Sequence, residues 1–228
     1  MDNLTDIIVT YATRPHKELS GLLLDKSKDE LVALVNTLIT VYMNDKNSSA
    51  LRERVVVALA GYKHMPEKIG YNGFRQETKI GGKTLYCEVK PVNIIIDSKN
   101  TTKRHSGHGN FTDYTFARFK KDISANLNMV VAGFIDGQLI FVLEFPFKHK
   151  AFMDELKRQL IKRFHGTKDK VGEFLRSANF SFKHYKGSRL LAVKYVNREV
   201  LENNKNRFTK DLYDYLMAHN VEARAATK

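Results

Sequence analysis

The residues of this chain best suited to chemistry are two carboxylates and an amine: Glu77, and the triplet Glu88-Val89-Lys90. Side chains alternate along an extended strand, so Glu88 and Lys90 share one face while Leu85, Cys87 and Val89 take the other. The second face can enter an apolar core. A carboxylate and an ammonium then project together from an otherwise buried strand. Glu77 lies on the preceding segment, and a turn at Gly81-Gly82 can fold it back beside Glu88. Two carboxylates converging next to a lysine suit Mg²⁺, which takes hard oxygen ligands plus waters. The lysine can orient an attacking water, and the ion can polarise a phosphodiester and offset charge on the leaving oxygen. Glu67, directly after Pro66, competes with Glu77 for the place of first acid.

This arrangement resembles the signature of the PD-(D/E)XK nucleases, an acid on one strand followed by acid-x-Lys on the next. Here the first acid is Glu77 rather than the usual Asp, and no Pro precedes it. Glu67 restores the Pro-acid pair but comes before the hairpin. The resemblance covers roughly residues 50–145. It implies a restriction-endonuclease-like α/β (α+β) fold, with a mixed sheet flanked by helices and a helix after the Glu-x-Lys strand. It also implies Mg²⁺ held by Glu77 and Glu88, with Glu77, Glu88 and Lys90 catalytic, and hydrolysis leaving 5′-phosphate and 3′-hydroxyl ends. Members often carry a supporting acid on the helix before the hairpin. Glu53 is the match, and a solvated helix charge is its other reading. A compact chain with one such motif is most similar to a type II restriction endonuclease, a homodimer cutting double-stranded DNA at a short palindrome. A resolvase, a repair nuclease and a homing endonuclease share the motif. If Glu88 and Lys90 are an ordinary cross-strand charge pair, a non-catalytic nucleic-acid-binding protein is the alternative.

Helices are expected over residues 2–44. Ser27 can cap one of them, with Asp29 and Glu30 in its first turn and Leu31, Leu34, Val35, Leu38 and Val41 at helical spacing. A second helix runs from about Ala50 and stops near Gly61 or Pro66. Residues 71–96 read as a hairpin. Residues 97–110 read as a polar loop holding Lys103, Arg104, His105 and His108. Residues 111–126 read as a helix capped by Asn110 or Thr112, with Phe116 and Phe119 inward and Arg118, Lys120 and Lys121 outward. Residues 128–147 form a second, largely apolar hairpin turning at Asp136-Gly137, so central in a sheet. Glu144 inside it must find a basic partner or a strand end. A basic amphipathic helix ends at Gly166, a third hairpin turns at Lys186-Gly187, and a helix closes the chain. Phe180, Phe182 and Tyr185 read either as one core face or as base-stacking residues. The divisions are an N-terminal helical part (1–50), a nuclease core (51–150) and a basic C-terminal α/β part (151–228) for DNA recognition or dimerisation.

Composition supports a polyanionic partner. The 228 residues carry 38 Lys and Arg against 25 acids, for a net charge of +13. Residues 151–228 hold seventeen of the basic residues and nine acids. A folded domain this basic points to nucleic acid. Arg104, Arg118, Lys103, Lys121, Arg176, Lys183, Lys186 and Arg189 are the candidate DNA contacts. A single cysteine excludes a disulfide framework and a thiolate zinc cluster and fits the cytoplasm. His105 and His108, three apart with no cysteine, make a poor zinc site and a better phosphate contact. No apolar run is long enough to cross a membrane.

Overall fold

The computed structural model describes residues 3–44, 49–65, 70–76, 82–94, 104–135 and 138–219. Three helices come first: α1 (Asn3–Thr13), α2 (Lys17–Leu23) and α3 (Lys28–Asn44). At the start of α3, the Ser27 hydroxyl accepts from the Glu30 N–H at 3.3 Å, and the Glu30 carboxylate accepts from the Ser27 N–H at 2.8 Å. This reciprocal pair satisfies two donors that a helix start otherwise leaves orphaned. The apolar spacing of α3 does not become a buried stripe, since Val35 and Leu38 stay 52% and 38% exposed. The next helix, α4 (Ala50–Leu59), buries Val55, Val56 and Val57, and Gly61 just beyond its end takes a left-handed φ of 78°.

Strands β1 (Lys63–His64), β2 (Gly73–Gln76) and β3 (Thr84–Asn93) make an antiparallel meander. Strand β4 (Gly109–Tyr114) and helix α5 (Phe116–Ser124) then lead to the hairpin of β5 (Leu127–Ile135) and β6 (Gln138–Pro146). Helix α6 (Lys150–Phe164), strands β7 (Leu175–Phe180) and β8 (Ala192–Val196), and helices α7 (Arg198–Asn203) and α8 (Lys210–Met217) complete the described chain. The main sheet has the order β1-β2-β3-β5-β6-β8. Among the described strands β3 and β5 pair in parallel, and the crossover joining them carries α5.

Helices cover both faces of this mixed sheet, which is the α+β class expected. On one face Cys87, Val89, Val130, Ala132, Val142 and Tyr195 pack on Val55–Val57 of α4 and Ala12 of α1. On the other, Met129, Val131, Leu143 and Phe145 pack on α5, α6 and α8. Burial on both sides explains why β5 and β6 read as continuous apolar runs. The basic C-terminal part belongs to the same core: Phe152, Leu156, Leu160, Leu212 and Leu216 join this cluster, and β8 extends the sheet.

Several local expectations fail, each through a distant partner. Residues 111–114 are not the start of a helix. They belong to β4, which pairs antiparallel with β7. The helix starts later, and its cap is Thr115, whose hydroxyl accepts from the Arg118 N–H at 3.1 Å, rather than Asn110 or Thr112. The third hairpin does not exist. β7 pairs with β4, a 3₁₀ turn follows at Phe182–His184, and β8 joins β6. Alternating aromatics specify a strand or a buried edge without naming its partner. Helix α6 ends one residue early, with His165 left-handed at φ 51° in place of Gly166.

Candidate active site

β3 behaves as its alternation requires. Cys87 and Val89 are buried on the α4 face, while Glu88 and Lys90 emerge together on the α5 face. Lys90 Nζ lies 2.8 Å from Glu88 Oε1, and Glu88 is 8% exposed. The lysine ammonium also sits 4.7 Å from the centre of the Phe111 ring on β4. This approach needs Gly109: a Cβ there would lie 2.9 Å from Lys90 Cβ.

The second oxygen of Glu88 faces Arg118, with Nη2 3.7 Å from Oε2. Arg118 was expected outward. Its Nε instead donates to Asp122 Oδ1 at 2.9 Å, one helical turn on. Asp122 is fully buried and also accepts from the Tyr114 hydroxyl at 2.9 Å and the Tyr71 hydroxyl at 3.3 Å. Burial pushes the Asp122 carboxyl above its ordinary range against the pull of Arg118, and burial beside this acid raises both tyrosines. Sequence reasoning missed Asp122. Its signal was the (i, i+4) spacing from Arg118 on a helix whose Phe116 and Phe119 point inward.

At the β2 edge of β3 stands Asn72, just before Gly73, which the ladder pairs with Cys87. The Asn72 N–H donates to Cys87 O at 2.9 Å, and its Oδ1 accepts from the Val89 N–H at 2.7 Å. Its Nδ2 donates to Glu53 Oε2 at 3.0 Å. The expected supporting acid is therefore tied to the Glu88-Val89-Lys90 strand through one side chain. Asn72 was not singled out in the sequence, because only the tertiary structure shows which side chain meets the Val89 N–H.

Glu77, Glu67 and Lys103 lie outside the described residues. At the far end of the described ladder, Gln76 pairs with Thr84. Among the described residues no group of three or more His, Cys, Asp or Glu could hold a metal. At the junction of α4, β2 and β3, Glu53 reaches the β3 backbone through Asn72, while the Glu88 carboxylate leaves β3 on the α5 face. Hard oxygen donors of this kind, without sulfur or imidazole, suit Mg²⁺, which commonly takes one or two carboxylates and fills the rest with water.

The other candidates scatter over the surface. Arg104, Lys121, Arg176, Lys183 and Arg189 are exposed, and Lys186 is paired with Asp211 at 2.8 Å. Lys183, Lys186 and Arg189 sit in the connection from β7 to β8 rather than on a hairpin. Tyr114 is buried, as are Phe180, Phe182 and Tyr185, which belong to the core rather than to a stacking platform. His105 is no surface phosphate contact either. It is 4% exposed and packs on His108, Phe141 and Phe208. Glu144 has the basic partners its burial demands, Arg75 at 3.1 Å and Lys194 at 2.8 Å. No described helix is long and apolar enough to cross a membrane. No protein-family model and no curated protein matches the chain.

Proposed function

We propose that this chain is a Mg²⁺-dependent DNA endonuclease of the PD-(D/E)XK kind, acting in the manner of a type II restriction endonuclease. One observation carries the reading. Glu88 and Lys90 leave the same face of β3, a strand joined to its parallel neighbour by a helical crossover, and Asn72 links Glu53 to that strand. The order of elements is the one the family resemblance implies.

In this reading Glu88 holds the ion with a second carboxylate from Glu77, or from Glu67 in its place, and Glu53 is the supporting acid. When bound, Mg²⁺ polarises the scissile phosphodiester and offsets charge on the leaving oxygen. Lys90 Nζ holds the attacking water in line with the phosphorus. Arg118 shares its charge between Glu88 and Asp122, fixing the carboxylate while leaving one oxygen only loosely engaged. Asn72 fixes the β3 backbone at Val89, between the two reacting side chains.

A homodimer gives one site for each strand of a palindrome. A cytoplasmic protein acting on duplex DNA fits the single buried cysteine and the net charge of +13. The test is incubation of a sequenced plasmid with the protein and Mg²⁺, against an EDTA control. Discrete bands are expected with Mg²⁺ alone, and Glu88→Gln or Lys90→Ala should remove them while leaving DNA binding intact. Undiminished cutting by Lys90→Ala would overturn the assignment.

A second reading, a non-catalytic nucleic-acid-binding protein, is favoured by the two cations already engaging Glu88. Salt-sensitive binding of DNA with no nicking in Mg²⁺ is its signature.

A further inference from the structure

We propose that the outer face of the β4–β7 ribbon enters the major groove of duplex DNA and reads base edges, while the basic row of α6 beside it holds the phosphate backbone. The proposal rests on the DNA reading above but not on catalysis.

The ribbon is a separate two-stranded antiparallel unit laid over the main sheet. Its inner side chains, Phe111, Ala178 and Phe180, are buried in the core. Its outer rungs are the pairs Asn110–Asn179 and Thr112–Ser177. Next to them Asp113 bulges from the strand with a φ of 52°, and Arg176 stands exposed. Asn110, Thr112, Asp113, Phe174, Arg176 and Ser177 line one open depression on this face.

Their chemistry is that of groove readout. Amides pair with adenine, guanidinium with guanine, carboxylate with the cytosine amine, hydroxyls with several edges, and an aromatic edge with the thymine methyl. A two-stranded ribbon fits the major groove of B-form DNA, whereas the deep, narrow major groove of an RNA duplex excludes it. An ordinary solvated ribbon would be expected to carry Lys and Glu, and these outer rungs carry neither.

One edge of the ribbon is also closed to a competing strand. The Gln159 side chain of α6 donates to Asn179 O at 2.6 Å and accepts from the Asn179 N–H at 2.9 Å. This mimics a strand at the β7 edge and leaves no room there for an added peptide strand. The same helix lines a second depression with Arg158, Lys162, Arg163 and His165. Arg158 is paired with Glu155 and Arg163 with Glu173, while Lys162 is exposed. Cations placed beside a groove-reading element are what backbone positioning requires. The inner side of the same ribbon rests on Lys90 through Gly109 and Phe111, so reading and cutting would share one element.

The experiment is selection from a random duplex library by the full-length protein in EDTA, where nothing can be cut. Wild type should enrich a short motif. Arg176→Ala and Asn110→Ala should each lose preference at one or two base pairs by about tenfold or more, with the salt dependence unchanged. Lys162→Ala should weaken binding to every duplex and lower the slope of log affinity against log salt by about one. Enrichment of no motif, variants with the wild-type motif, or equal binding to duplex RNA would each overturn the proposal. The two readings fail separately. A motif without cutting in Mg²⁺ removes the nuclease and keeps the ribbon. Cutting with an unchanged band pattern in the ribbon variants does the reverse.

Discussion

The central sheet carries a buried acid on each face, and the two are neutralised differently. Glu144, on the α4 face, meets the Arg75 and Lys194 cations, the Tyr62 hydroxyl at 2.6 Å and the Asn128 amide. These partners come from β2, β8, β5 and the turn after α4. Burial alone would raise the Glu144 carboxyl. Hydrogen bonds from Lys194 and Tyr62, with the Lys194 and Arg75 charges, outweigh it and hold the carboxyl below its ordinary range. Glu88, on the α5 face, has one close partner two residues along its own strand and a second at 3.7 Å. Four segments converging on Glu144 make a staple that leaves little for a ligand. The looser pairing at Glu88 leaves an oxygen that an ion and its waters could take.

The sharpest way to break this comparison is to remove each acid and measure both properties. Glu88→Gln or Lys90→Ala should lower cleavage by at least about 100-fold, the scale of losing a positioned proton-handling group, with the urea midpoint nearly unchanged. Glu144→Ala should do the opposite. It leaves two half-buried cations without their carboxylate and should cost about 1–3 kcal/mol in urea unfolding. Cleavage per folded molecule should stay near wild type. If Glu88→Gln is the more destabilising of the pair, the distinction between the faces is wrong.

The pH dependence should separate the faces from His105, a buried ionisable group without a counter-charge. Burial, with the His108 charge adding to it, pushes the His105 imidazole down from 6.5 to about 3. The unfolded chain then binds a proton that the folded chain does not, between those two values. Stability from this group is therefore complete above pH 6.5 and lost as pH falls towards 3, at no more than about 1.4 kcal/mol per pH unit. The slope should flatten in His105→Phe. Glu144, whose pKa is depressed, contributes stability above its unfolded value near 4.5 that is lost only as pH falls further. Thermal or urea unfolding between pH 4.5 and 7 should thus report His105 and hardly Glu144.

The smallest expected effect is at Asn72. Asn72→Ala removes the bonds to the Val89 N–H and to Glu53, and should cost about 1–2 kcal/mol of stability. A larger loss of cleavage than of stability would place Glu53 in the working site, and equal losses would make Asn72 a brace only.

Much of this was legible in the chain itself. A period of two placed Glu88 with Lys90 and against Cys87 and Val89, and the apolar runs of β5 and β6 named the sheet centre. Ser27 and Glu30 marked a helix start, and Phe116 and Phe119 marked the buried side of α5. These are local signals, because backbone geometry fixes which neighbours share a face. Tertiary structure alone decided that residues 109–114 are a strand, since their partner lies more than sixty residues away in β7. It turned Arg118 inward to Asp122 and set Asn72 against the Val89 N–H. It also buried His105 between Phe141 and Phe208. Each of these depends on register or on contact between distant segments. Sequence periodicity carries the facing of a side chain but not the identity of what it faces.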